Sequence, residues 1–124
     1  MATQSQAPVH DKAEQLQAVQ QGLLEGERVM AVFDGKGAGT GFLGLTDRRL
    51  IFQDNSFVGK KTALTSVPYN RVNAVSFVSD KSMFGKWASS ATLVISAGGK
   101  DYEVEFRGSD KARYAHDLIL FHMR

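Results

Sequence analysis

Between Lys100 and Phe121 the hydrophobic period of this chain changes, and that change limits the folds open to it. Tyr102, Val104 and Phe106 alternate with Asp101, Glu103 and Glu105, which predicts a strand over Lys100 to Arg107 with one face buried and one wet. From Ser109 the spacing becomes helical. Ala112, Ala115, Leu118, Ile119 and His122 share a face, with Tyr114 and Phe121 beside it, so a helix is expected over 109–123. Ser109 is its expected N-cap, and the charge of Asp110 suits the first turn. Upstream, Gly98-Gly99 is free to take positive φ and joins the last strand to another over Ala91 to Ala97. The chain therefore builds sheet and then closes on a helix.

The same logic runs back through the middle. Thr46-Asp47 punctuates two apolar runs, Phe42-Leu43-Gly44-Leu45 and Leu50-Ile51-Phe52, which reads as a β-hairpin. Val29, Ala31 and Phe33 alternate with Arg28, Met30 and Val32 in a first strand. A glycine-rich turn over Asp34 to Gly41 leads to the hairpin, and turn residues Asp54-Asn55-Ser56 follow it. Lys60 to Val67 reads as a fourth strand broken by Pro68, and Arg71 to Val78 as a fifth. The count is about seven strands.

Residues 1–10 are expected to be a flexible N-terminus. Residues 11–124 are expected to form one domain, opening with a helix over 11–23 capped by Asp11. Leu16, Val19 and Leu23 recur there at helical spacing. This stripe either packs on the domain's own sheet or meets a second copy. At 124 residues the chain is one domain in size, and its 43% apolar and 23% charged content is that of a globular protein.

A formal net charge of +2 compels no polyanionic partner. With neither a recognition helix nor a sustained basic stripe, no nucleic acid is expected. The absence of cysteine excludes disulfides, a thiolate nucleophile and a cysteine-ligated zinc site. Met1 to Gln21 is polar, and the apolar runs fall far short of the ~20 residues needed to span a bilayer. The expected location is cytoplasmic, at most peripheral to a membrane.

Three motifs suggest chemistry. Gly39, Gly41 and Gly44 satisfy G-x-G-x-x-G, but they open a strand, whereas a dinucleotide site needs the N-terminus of a helix. They are read as a tight connection with room for close backbone approach. Arg48 and Arg49 follow a turn and point to opposite sides, so one is expected to pair with an acid while the other is solvated. His116 and His122 are six apart on a helix and cannot chelate one metal as an i, i+4 pair does. No cofactor, metal or catalytic group is expected, and the chain is read as no enzyme. A basic and aromatic surface remains: Lys60, Lys61, Arg71, Lys81 and Lys86 with Met83, Phe84 and Trp87 would make a protein-contact or lipid-facing loop if exposed.

Leu24-Glu25-Gly26-Glu27, then Gly44-Leu45-Thr46-Asp47-Arg48-Arg49-Leu50-Ile51-Phe52, then Val67-Pro68-Tyr69-Asn70-Arg71-Val72 resembles the bacterial pleckstrin-homology-like (PH-like) domains over roughly Leu24 to Met123. The resemblance implies an α+β PH-like barrel: two near-orthogonal antiparallel sheets of about seven strands, capped by a C-terminal helix. The N-terminal helix is additional to that plan. The resemblance further implies a non-catalytic scaffold that forms homo-oligomers or binds a protein partner. Peripheral binding to an anionic membrane surface is the alternative. Where phosphoinositide-binding relatives carry several basic residues in the first connection, this chain has only Lys36, which weakens a phosphoinositide reading.

Overall fold

The computed structural model describes residues 8–35, 40–54, 63–78 and 91–123. Its elements run β1 (Val9–His10), α1 (Ala13–Gln21), β2 (Val29–Asp34), β3 (Thr40–Thr46), β4 (Arg49–Asp54), β5 (Ala63–Pro68), a 3-10 turn (Tyr69–Arg71), β6 (Val72–Val78), β7 (Ala91–Ala97), β8 (Lys100–Phe106) and α2 (Ser109–His122). One sheet has the order β1-β2-β3-β4-β5 and the other β6-β7-β8. All pairings are antiparallel except β1 with β2, which is parallel.

Seven of these eight strands overlap the segments expected as strands, the Lys60 end of the fourth lying outside the described residues. The eighth, β1, lies at the end of the segment expected to be a flexible N-terminus, where Val9 pairs with Ala31 and His10 with Val32. A two-residue strand carries no readable period, so no sequence pattern announces it.

Strands β2, β3 and β4 are buried on both faces, which is why they read as nearly unbroken apolar runs. Inward, Ala31, Phe33, Leu43, Leu45, Leu50 and Phe52 join the main core with Leu93, Ile95, Val104 and Phe106 from the other sheet. The two sheets meet through rings. Phe33 lies edge-on to Phe106 with centroids 5.5 Å apart, and Phe52 stacks on Tyr102 at 4.6 Å. Helix α2 seals this core with fully buried Ala112, Ala115 and Ile119.

Outward, Val32, Phe42 and Ile51 form a second, smaller core with Val19, and Leu16, Leu23 and Val29 pack against it. The expected stripe on α1 therefore lies on the chain's own sheet. A cross-strand row runs Val32, Gly44, Ile51 and Ser66. Gly44 is the notch in it: a Cβ there would sit 3.0 Å from Val19 Cγ2. At Gly41 a Cβ would meet the backbone of Gln53. Gly41 thus allows the close backbone approach expected there, and Gly44 gives the helix its seat.

Two expected caps are corrected. The N-cap of α1 is Lys12, with no side-chain hydrogen bond, while the Asp11 carboxylate is used elsewhere. The N-cap of α2 is Gly108 at φ 134°, and Ser109 is the first helical residue. Gly98 and Gly99, at φ 61° and 80°, form the expected hairpin turn.

Candidate functional site

The arginine pair divides as expected. Arg48 is exposed, whereas Arg49 reaches back to Glu27. Arg49 Nε donates to Glu27 Oε2 at 2.8 Å and Nη2 to Oε1 at 3.0 Å, a bidentate fork. Nη2 also reaches the Gly22 carbonyl at 2.9 Å, and Nη1 donates to Ser66 Oγ at 2.7 Å. The Glu27 side chain is fully buried, and every oxygen has partners: Thr46 Oγ1–H donates to Oε2 at 2.6 Å and the Leu24 amide to Oε1 at 2.9 Å. These hydrogen bonds, led by Arg49, hold the Glu27 pKa down at about 2 against desolvation.

Thr46 Oγ1 accepts the amides of Arg48 and Arg49, each at 3.0 Å, which sets the β3–β4 turn. Tyr69 O–H donates to the Thr46 carbonyl at 2.7 Å. Burial first, then the negative charges of Asp47 and Glu27, push the Tyr69 phenol well above its ordinary range. Glu27, Thr46, Arg49 and Tyr69, drawn from the three motif segments, thus form one largely buried polar network. The sequence contained all three, but the Glu27–Arg49 pairing spans 22 residues and no local pattern states it.

A second polar cluster joins the two helices. Asp34 is buried, accepting from Gln15 Nε2 at 2.8 Å and Arg107 Nε at 3.1 Å, with Lys12 Nζ 3.5 Å away. Burial alone would raise the Asp34 pKa, but these donors together hold it below the carboxylate range. Asp11 accepts the Asp34 amide at 2.9 Å and Lys111 Nζ at 2.5 Å.

Of the residues singled out for a protein-contact or lipid-facing surface, the described one is Arg71, exposed on the 3-10 turn. Lys60, Lys61, Lys81, Met83, Phe84, Lys86 and Trp87 lie outside the described residues. Leu16, Val19 and Leu23 are brought together over Val32, Phe42 and Ile51. His122 stacks on Tyr69 with centroids 4.9 Å apart, and its Nδ1 lies 2.8 Å from the Leu118 carbonyl. Among the described residues no three His, Cys, Asp or Glu side chains are grouped to hold a metal ion. No helix among them is long and apolar enough to cross a membrane.

Among the described residues, the buried charges Glu27 and Asp34 are held by partners within the fold, and the exposed large apolar side chains include Val9, Leu64 and Val78. The fold is a small two-sheet module capped by a C-terminal helix. The family model for the bacterial PH domain matches residues 23–120, and the chain belongs to that family. PH domains are in general non-catalytic modules that bind proteins or lipids. Among solved structures, a pleckstrin homology domain from Shewanella amazonensis SB2B has the same fold, with TM-score 0.65 and 17% sequence identity over 97% of this chain and 94% of that one. No curated protein matches the chain.

Proposed function

We propose that this chain is a non-catalytic binding module that self-associates by backbone pairing along the free edge of β5. The observation that carries this reading is a contrast between edges. Among the described residues β5 pairs only with β4, and Ala63-Leu64-Thr65-Ser66-Val67-Pro68 contains no charged residue. Of the two outer strands of the other sheet, β8 carries Lys100, Asp101, Glu103 and Glu105, and β6, uncharged like β5, lies against α2. Charges on an edge discourage added strands, and an uncharged edge admits them. On β5, Leu64 is 63% exposed, beyond the area that α1 covers. The stripe on α1, being spent on the chain's own sheet, leaves the edge as the better surface for a second copy. A bacterial PH domain of this kind would act in the cytoplasm as a scaffold for its own assembly or for a protein partner.

Light scattering at tens of micromolar tests the proposal. The expected mass exceeds one protomer, and Leu64→Lys returns it to one protomer with an unchanged melting temperature. A wild-type monomer at that concentration overturns the proposal. If that monomer also sediments with anionic vesicles and is released by salt, the chain is a membrane-surface module instead.

A further inference from the structure

The strand β1 has almost nothing apolar to hold it. It consists of two residues, both exposed, with Val9 at 48%. Its attachments are polar. The Asp11 amide donates to the Val32 carbonyl at 3.1 Å, and the Asp11 carboxylate accepts both the Asp34 amide and Lys111 Nζ. Lys111 belongs to the first helical turns of α2, a hundred residues along the chain. Helix α1, immediately after Asp11, has its own apolar anchor in Val19, so detachment of β1 need not disturb it.

What β1 covers is an edge that is apolar up to Asp34 at its end. Val29 to Phe33 of β2 contains no charged residue, and β1 pairs with Ala31 and Val32 at its centre. Covering an edge is one of the ways proteins prevent stray strand addition. Here the cover is fixed by ionic contacts between partly exposed groups: the Lys111 side chain is 35% exposed and that of Asp11 13%. Contacts of this sort weaken as salt rises, whereas apolar anchors do not.

We propose that β1 is a releasable strap over the β2 edge, and that the Asp11–Lys111 ion pair is the latch that holds it. Ionic strength, or an anion competing for Lys111, shifts the strap from closed to open while the remainder of the fold is kept. This reading stands independently of pairing at β5, since it concerns the opposite edge of the sheet.

Amide hydrogen exchange on the full chain decides the matter. Two reporter amides belong to the latch: Asp11, bonded to Val32, and Asp34, bonded to Asp11. Lys111→Gln is expected to speed exchange at both by roughly tenfold, in line with the loss of a charge-assisted contact, while the amides of β3 and β4 stay protected. In the wild type, raising sodium chloride from low to high concentration should produce the same local loss, and the variant should respond little. Arg113→Gln, on the same helix with its side chain 70% exposed, should leave both reporters unchanged. Reporters that ignore both salt and Lys111→Gln overturn the latch. Loss of protection spreading through β3 and β4 overturns it too, because Lys111 would then be supporting the whole domain.

Discussion

Arg49 grips Glu27 through both carboxylate oxygens, and the rest of its guanidinium spans from the end of α1 at Gly22 to Ser66 of β5. Breaking one partner of a buried pair leaves the other charge uncompensated. Arg49→Ala should therefore destabilise the fold by about 3–5 kcal/mol. Arg49→Lys, which keeps the charge and loses the fork, should fall between wild type and Arg49→Ala. Urea unfolding midpoints of the three proteins check this order. Equal midpoints for Arg49→Lys and wild type would show that charge alone suffices.

The depressed pKa of Glu27 gives an acid limb to stability. The group ordinarily titrates at 4.5 and in the folded chain at about 2, so the native state favours the carboxylate. Its contribution is complete above pH 4.5 and is lost as the pH falls towards 2. Each tenfold difference in proton affinity between the folded and unfolded chain is worth about 1.4 kcal/mol, which makes the loss roughly 3 kcal/mol. Asp34, also held low, adds to it in the same direction. Glu27→Gln should be less stable than wild type at neutral pH, and the gap should narrow on acidification. Unfolding curves between pH 2 and 6 measure that gap.

At the alkaline end the sign reverses. The Tyr69 phenol is pushed above its ordinary 10.0, so the folded chain favours the neutral form. That preference costs nothing below pH 10 and erodes stability above it. Tyr69→Phe should lose about 1 kcal/mol near neutrality with the hydrogen bond to Thr46, and should lack Tyr69's share of the alkaline decline. Thermal melts at neutral and alkaline pH separate the two effects.

The two strand glycines should respond differently to alanine. At Gly44 the new methyl meets a side chain, Val19 Cγ2, at 3.0 Å, and the cost should be about 1–3 kcal/mol. Val19→Ala should relieve part of it, a non-additivity expected of touching residues. At Gly41 the obstacle is the Gln53 backbone, which yields less readily, so Gly41→Ala should be the worse of the pair. Denaturation of the two single variants and the Gly44→Ala, Val19→Ala double variant tests the ranking.

Much of the sheet was legible because its signals are local. Alternation marks β8, Gly98-Gly99 marks a hairpin, and the apolar runs around Thr46-Asp47 mark β3 and β4. The three motif segments were visible, yet only the fold shows that Glu27, Arg49 and Tyr69 meet through Thr46. Asp11 had the composition of an N-cap. Its carboxylate instead caps Asp34 and pairs with Lys111, partners that sequence distance conceals. β1 was illegible because two residues cannot display a period. The fate of Leu16, Val19 and Leu23 turned on Gly44, whose missing side chain gives α1 a seat on its own sheet.

In both sheets the spatial order of strands follows their order along the chain, β1 to β5 and then β6 to β8. Among the described strands none has to be threaded between two that are already paired. Within each sheet, each strand pairs with its neighbour along the chain, which limits the loop that each pairing has to close. This order also suits vectorial synthesis, in which each new strand can dock on its predecessor as it leaves the ribosome. Helix α2 comes after the eight described strands. Until it emerges, the side of the core sealed by Ala112, Ala115 and Ile119 stays open to water, so a nascent chain paused after β8 would be the form most in need of a chaperone.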